Sequence, residues 1–255
     1  MKATKTIEIL KLRGEEILEV EDTLIMEYPF TIFLNDHEII TLLCSPRSLE
    51  ELAIGFLYAE GFIDKLENIE DININEEKGL AYIKVKGRKN LAEKLQGKRT
   101  ITSGCGKGTT FYNVLDSFKS KKIENPLDIK TDEIIKLVKE FTHKSELFLS
   151  TGGVHSCALC SKSEILIFEE DIGRHNAVDK IIGRGLIENI DLSDKLVLTS
   201  GRISSEMLIK VAKQGIPAIV SRSAPTSLTV DLAKELNMTV IGFARGERMN
   251  IYNKF

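Results

Sequence analysis

No run of apolar residues in this sequence approaches the ~20 needed to cross a bilayer, so a membrane-spanning helix is excluded. The opening Met1-Lys2-Ala3-Thr4-Lys5 leads into charged, strand-like sequence and not into the apolar stretch of a signal peptide, and the expectation is a cytoplasmic protein without a membrane partner. Cysteine is sparse. Cys44, Cys105, Cys157 and Cys160 are too few and too scattered for a disulfide framework in 255 residues, and a reducing cytoplasm keeps them as thiols. Their individual chemistry therefore matters more than any cross-link. An excess of positive charge is also lacking: 35 Lys and Arg stand against 38 Asp and Glu, which leaves no broad basic surface and argues against nucleic acid as the main partner. There is no tryptophan, no internal repeat, and no low-complexity tract beyond a short Lys-rich stretch at Lys119 to Lys122. What is present, 42% hydrophobic and 29% charged residues, describes one large or two modest globular domains with a substantial core.

The first chemistry-bearing stretch is Ile101-Thr102-Ser103-Gly104-Cys105-Gly106-Lys107-Gly108. Glycines at that density free the backbone to turn its N–H groups toward one point, and a lysine beside the sulfur favours its thiolate. A flexible loop holding a small buried hydrophobe fits the segment equally well. A phosphate-binding P-loop fails on spacing, because Ile101 stands where the first glycine belongs and Gly108 where Ser or Thr should follow.

The chain divides into two regions of different pattern, the first of which contains this stretch. Residues 1–125 read as hairpins around one helix: strands at Thr6–Leu12 and Glu16–Val20, then a hairpin of Phe30–Leu34 and Glu38–Leu43 turning at Asn35-Asp36. The helix is marked by a capping-box pair, Ser48 and Glu51, and by Leu49, Leu52, Ala53, Phe56 and Leu57 at helical spacing. A second hairpin spans Ile69 to Val85, Cys44 reads as a packed small residue, and Phe111, Val114, Leu115 and Phe118 suggest a helix after the cysteine loop. Residues 126–255 alternate helix and strand. Thr131 is read as capping a helix, Leu147–Ser150 as a short strand, Glu164–Phe168 as a strand, Asn176–Leu186 as a helix, and two further strand and helix pairs are followed by a last strand, Met238–Phe243. The expected fold is α/β, with a mainly parallel sheet covered by helices on both faces.

In such sheets ligands gather beyond the carboxyl ends of the strands. Four loops there are small and polar: Ser150–Gly153, Ser200–Arg202, Ser221–Thr226 and Ala244–Arg248. Hydroxyls, glycines and arginines together suit a phosphate-bearing ligand, although helix capping explains any one loop alone. Glu169-Glu170-Asp171-Ile172-Gly173-Arg174-His175-Asn176 is either an ion-paired structural corner or the floor of a site. His155, Cys157 and Cys160, read as one helical turn and a half, offer three zinc ligands. The zinc-deaminase pattern is nevertheless broken, with Cys157 in place of the catalytic glutamate and no cysteines after Pro225, and a packed cysteine pair is the better account.

The segments LAIGFLYAEG (Leu52–Gly61), SGCG (Ser103–Gly106), TGGVH (Thr151–His155), EDIGRHNAVDK (Glu170–Lys180), TSGRISSEM (Thr199–Met207), SAPT (Ser223–Thr226) and GFARGERMNIY (Gly242–Tyr252) resemble, in order, the formate dehydrogenase accessory sulfurtransferases, the FdhD/NarQ family. The resemblance implies a cytoplasmic, often dimeric protein with a cytidine-deaminase-like fold and no tightly bound metal. It implies that a cysteine desulfurase supplies sulfur as a persulfide on Cys105. That sulfur then passes to the molybdenum of the bis(molybdopterin guanine dinucleotide) cofactor, for formate dehydrogenase. The family's cofactor-binding segment falls on Phe243, Ala244, Arg245, Gly246, Glu247 and Arg248. One departure stands out: many members carry C-x-x-C where this chain has Cys105-Gly106-Lys107-Gly108, so Cys105 either works alone or is assisted by Cys157 or Cys160. Two other readings stay open, a cofactor chaperone without sulfur chemistry and a zinc-dependent hydrolase built on His155, Cys157 and Cys160.

Overall fold

The computed structural model describes residues 2–86, 100–101, 109–110 and 122–254, with the main chain alone at 100–101 and 109–110. Cys105, the glycines around it and the segment read as the Phe111–Phe118 helix lie outside the described residues. Thr100–Ile101 (β7) pairs with Thr109–Thr110 (β8) on either side of the cysteine segment.

The chain opens with a two-stranded ribbon, β1 (Thr4–Arg13) and β2 (Glu16–Ile25). Next come β3 (Tyr28–Leu34) and β4 (His37–Cys44), joined by Asn35 and Asp36 at φ 47 and 65. Two consecutive positive φ values define the tight hairpin turn that asparagine and aspartate tolerate best. With β5 (Ile69–Asn75) and β6 (Leu80–Val85) they form a sheet ordered β4-β3-β6-β5. One of its faces buries Phe30, Ile32, Leu34, Ala81 and Ile83 against α1 (Leu49–Ala59).

The second half supplies α2 (Thr131–Lys144), α3 (Glu146–Thr151), β9 (His155–Cys160), β10 (Ile165–Asp171) and α4 (Arg174–Ile187). These are followed by β11 (Leu196–Thr199), α5 (Ser205–Lys213), β12 (Ala218–Ser221), α6 (Ser227–Glu235), β13 (Thr239–Arg245) and β14 (Arg248–Asn253). The six strands form one sheet in the order β10-β9-β11-β12-β13-β14. Only β11·β12 and β12·β13 are parallel, so the expected mainly parallel sheet is in fact mixed. Short crossovers through α5 and α6 impose the parallel pairs, whereas β9–β10 and β13–β14 are joined by tight turns that only antiparallel strands allow. Helices cover both faces, as expected: α4, α5 and α6 on one, α2 on the other.

Several local readings change. Leu147–Ser150 is helical and not a strand, and His155–Cys160 is a strand and not a helical turn. Thr131 is the first helical residue of α2; the residue before it is Lys130, whose N–H donates to Glu133 Oε2 at 2.7 Å. Ser48 does not close a capping box with Glu51: it sits at φ 52, and its hydroxyl donates to Glu169 Oε2 at 2.9 Å. The Ser48 hydroxyl is turned to a distant carboxylate instead of to the helix's own N–H groups, and that choice ties α1 to β10.

The two halves meet where α1 crosses α4. A Cβ on Gly55 would lie 1.9 Å from the Asp179 carbonyl oxygen, and one on Gly183 would lie 1.9 Å from that of Glu51. Only hydrogen fits at either place. The helix backbones are therefore in direct contact, and Tyr58 and Leu186 fill both adjoining cores.

Candidate functional site

The acidic end of β10 is buried, and each of its carboxylates has a partner. Asp171 Oδ2 lies 2.7 Å from Lys180 Nζ, both side chains at 0% exposure. Asp171 also accepts from the Ser45 and Gly173 N–H groups and from Asn176 Nδ2, at 2.9–3.0 Å. Glu170 accepts from the Leu147 and Phe148 N–H groups at 3.0 and 3.2 Å, and Glu169 from Arg184 and Ser48 at 2.9 Å each. One turn further along α4, Asp179 takes both of its 2.8 Å bonds from Lys210, which also faces Glu60 at 3.6 Å. Burial pushes the Asp179 carboxyl up to about 6 against the pull of Lys210, and Asp179 and Glu60 hold Lys210 above the usual lysine range. Of the two sequence readings of Glu169–Asn176, the ion-paired corner describes its three carboxylates. Buried ions at this density are tolerated only because hydrogen bonds complete every one. Ser45, Lys210 and Glu60 belong to the network without having been legible, because their partners lie far away in sequence.

Three of the four cysteines are removed from chemistry by the same burial. Cys44, Cys157 and Cys160 are each 0% exposed. Burial pushes the Cys44 and Cys157 thiols up to about 12, and drives Cys160 up as well. Cys157 Sγ bonds Thr199 Oγ1 at 3.2 Å. A thiol in that range is neither a nucleophile nor a ready metal ligand at neutral pH. Strand geometry also separates the suggested zinc ligands: Cys157 packs into the core under α4 and α5, Cys160 into the one under α2, on opposite faces of the sheet. Among the described residues no cluster suited to a metal exists, and two buried thiols on opposite faces of the sheet speak against a zinc site built on His155, Cys157 and Cys160. Cys44 is the packed residue that was expected.

The exposed polar groups collect where the loops suggested. The turns after β11 and β12 run side by side: Ile203 N–H donates to Ala224 O at 3.1 Å, Thr226 N–H to Ile203 O at 3.1 Å, and Ser221 Oγ to Gly201 O at 2.6 Å. Ser204 and Thr226 cap α5 and α6. Phe243 N–H donates to Ser223 O at 3.0 Å, which adds the end of β13 to the row. Phe243 itself stands at φ 52 with its ring 42% exposed. A non-glycine residue there costs about 1–2 kcal/mol, so the neighbouring contacts hold it in place. A side chain on Gly242 would meet Pro225 at 2.9 Å and Tyr252 at 3.0 Å. Arg245 Nε donates to Arg222 O at 2.9 Å, and Arg245 lies opposite Arg248 across the β13–β14 turn. No carboxylate among the described residues pairs with Arg202, Arg222, Arg245 or Arg248. Cationic forks without a carboxylate partner among the described residues suit an external oxyanion.

Two of the four expected loops differ in kind. Residues 244–248 are a β-hairpin turn and not a strand-to-helix loop, because β14 follows at once. Ser150–Gly153 is the end of α3 with Gly152 at φ 64, and Gly153 packs on Ile25. At the near end of the row, His155 opens β9 beside Ser200, and Arg174 opens α4.

Two histidines here give the fold an acid limit. Burial, then Arg174, holds His155 below the usual range; burial, then Lys210 and Arg174, takes His175 down to about 3. Both resist protonation in the native state more than in the unfolded chain, which protonates near 6.5. Below that pH the unfolded state binds protons the native state refuses, so stability is present above pH ~6.5 and is lost progressively as pH falls below it. His175→Gln is expected to remove at most about 2 kcal/mol of the stability lost between pH 7 and 5. Urea unfolding at the two values checks this.

Comparison with known proteins agrees with this architecture. The FdhD/NarQ family pattern matches residues 25–255, and the chain belongs to that family. A sulfur carrier protein FdhD from Listeria monocytogenes is 45% identical over 93% of this chain and 92% of its own length. That of Bacillus subtilis is 41% identical over 98% and 96%. A crystal structure of a protein described as a formate dehydrogenase accessory protein, from Desulfotalea psychrophila, superimposes with a TM-score of 0.79 at 28% identity, covering 99% of this chain and 97% of that one.

Proposed function

We propose that this chain is a sulfurtransferase whose Cys105 receives sulfur from a cysteine desulfurase and hands it to a molybdenum cofactor destined for formate dehydrogenase. The observation that carries the reading is the burial of every other thiol: with Cys44, Cys157 and Cys160 sealed in the core, Cys105 is the one cysteine left to bear a persulfide. The names of the relatives support the sulfur role. In the first step the Cys105 thiolate attacks the outer sulfur of the donor's persulfide and the donor cysteine leaves as thiolate. In the second, the outer sulfur departs from Cys105, again leaving a thiolate, and the two electrons that make it a sulfide come from the metal that accepts it.

The bis(molybdopterin guanine dinucleotide) cofactor is substrate here, held by its phosphates. Phe243, Ala244, Arg245, Gly246, Glu247 and Arg248 are assigned to that contact, supported by the arginines of the β13–β14 turn, which have no carboxylate partner among the described residues, and by the exposure of Phe243. The protein works in the cytoplasm as a homodimer, with 1–125 bearing the cysteine segment and 126–255 the cofactor segment. To the second part we assign a cytidine-deaminase-like fold.

Cys105→Ala is expected to abolish maturation of formate dehydrogenase in a strain lacking the native protein, while Cys157→Ala, where it folds, retains it. Maturation by Cys105→Ala would instead identify a cofactor chaperone without sulfur chemistry. Arg245→Ala and Arg248→Ala are each expected to weaken binding of guanosine diphosphate by about 1.5–3 kcal/mol, measured by calorimetry. Unchanged affinity in both would remove the turn from the site.

A further inference from the structure

We propose that the β1–β2 ribbon is the surface through which two copies of this chain join, face against face, with β1 of each lying over β2 of the other. The proposal rests on the reading that the protein is a homodimer, and names the contact that makes it one.

The ribbon is rooted in a small core, where Ala3 and Ile25 pack with Leu147, Val154 and Ile172 and Met26 N–H donates to Ala3 O at 2.8 Å. Further out, Ile7, Ile9, Leu18 and Val20 belong to none of the cores formed by the described residues. A two-stranded ribbon is marginal in water on its own, and an apolar face on one calls for cover.

The unbroken register sorts the side chains into two faces. One carries Lys5, Ile7, Ile9, Lys11 and Arg13 from β1 opposite Leu24, Asp22, Val20, Leu18 and Glu16 from β2. Its centre is apolar, its cations stand on β1 only, and its carboxylates stand on β2 only. Such a face is complementary to itself. A two-fold axis parallel to the strands sets β1 on β2 of the second copy, apolar centre on apolar centre, and brings Lys11 and Arg13 toward Glu16 and Lys5 toward Asp22. Turning the copy end over end would instead stack cation on cation. The other face carries Glu8, Leu10 and Leu12 opposite Glu21, Glu19 and Ile17. Its Leu10, Leu12 and Ile17 are 62–69% exposed, but three carboxylates and no cation stand among them, so two copies meeting there would repel. Charge therefore selects the first face, and a second copy as its occupant. At the root, α3 runs against β2 and leaves Phe148 and Leu149 exposed, which extends the apolar surface past the ribbon.

The test is sedimentation velocity of the full chain over a range of concentrations. The wild type is expected to dimerise. Val20→Asp should raise the dimer Kd by about a hundredfold or more, and Arg13→Glu by about tenfold, while Leu12→Ser on the opposite face should leave it within about twofold. Exchanging the charges, Arg13→Glu with Glu16→Arg, should return the Kd to within about twofold of the wild type, which a variant that merely unravels the ribbon could not do. A dimer that survives Val20→Asp, or one that Arg13→Glu weakens and the exchange does not restore, overturns the ribbon contact and leaves the homodimer standing. A wild-type chain that stays monomeric at every concentration overturns both.

Discussion

Gly183→Ala is expected to destabilise the protein by about 3 kcal/mol or more, an effect at the upper end for a single added methyl. The new Cβ would stand 1.9 Å from the Glu51 carbonyl oxygen and 2.9 Å from the Gly55 nitrogen, both backbone atoms of α1. Neither can rotate away as a side chain can. The helices must separate, and the shared packing of Tyr58 and Leu186 loosens with them. Gly55→Ala meets the mirror obstacle in the Asp179 carbonyl and should cost a similar amount. The control lies two residues away. At Gly185 an added Cβ would touch Leu159 and Leu192 at 3.4 and 3.5 Å, near ordinary contact, so Gly185→Ala should change stability by no more than about 1 kcal/mol in either direction. Thermal unfolding of the three variants decides the matter; equal melting temperatures for Gly183→Ala and Gly185→Ala would mean that the crossing is not held by backbone contact.

Lys180→Met is expected to cost about 3–5 kcal/mol, because it strands the fully buried Asp171 carboxylate. Removing the cation also takes away the donor to Ser45 Oγ at 2.9 Å. Asp171→Asn added to Lys180→Met should recover part of the loss, since a neutral amide removes the unpaired charge and still keeps one oxygen as acceptor for either the Ser45 or the Gly173 N–H. The coupling in that cycle should fall within about 0.5–3 kcal/mol. Additive losses in urea unfolding would show that the pair is not one electrostatic unit. The position of the pair explains why its loss reaches further than stability: Asp171 ends β10 opposite His155, and Gly173 and Arg174 follow it into α4. A corner that shifts carries the strand-end row with it.

Sequence periodicity located most of this architecture. Asn35-Asp36 announced its turn through residues that tolerate positive φ, and the spacing of Leu49 to Leu57 announced α1. Patterns failed where burial is complete on both sides. From Ser156 to Cys160 every residue of β9 is buried, so no polar alternation marks it as a strand, and His-Ser-Cys-Ala-Leu-Cys passed for a helical ligand set. The sheet's direction was illegible for a related reason: a run of helix and strand implies crossovers, but the antiparallel partners of β9 and β13 come from short turns at Lys162 and Gly246. Ser48 shows the third limit, a residue with a local role available that long-range packing redirected to Glu169. The site was legible as residue types, arginines and hydroxyls in small loops, while the close packing of Gly201 against His155 and Arg174 required coordinates.

The central claim is that sulfur travels on Cys105 and on no other thiol of this chain. Incubating the protein with a cysteine desulfurase and cysteine, alkylating, and mapping the peptides by mass spectrometry tests it directly. The account predicts a persulfide on the Cys105 peptide, with Cys44, Cys157 and Cys160 unmodified until the protein is unfolded. Persulfide on Cys157 or Cys160 with none on Cys105 would contradict it.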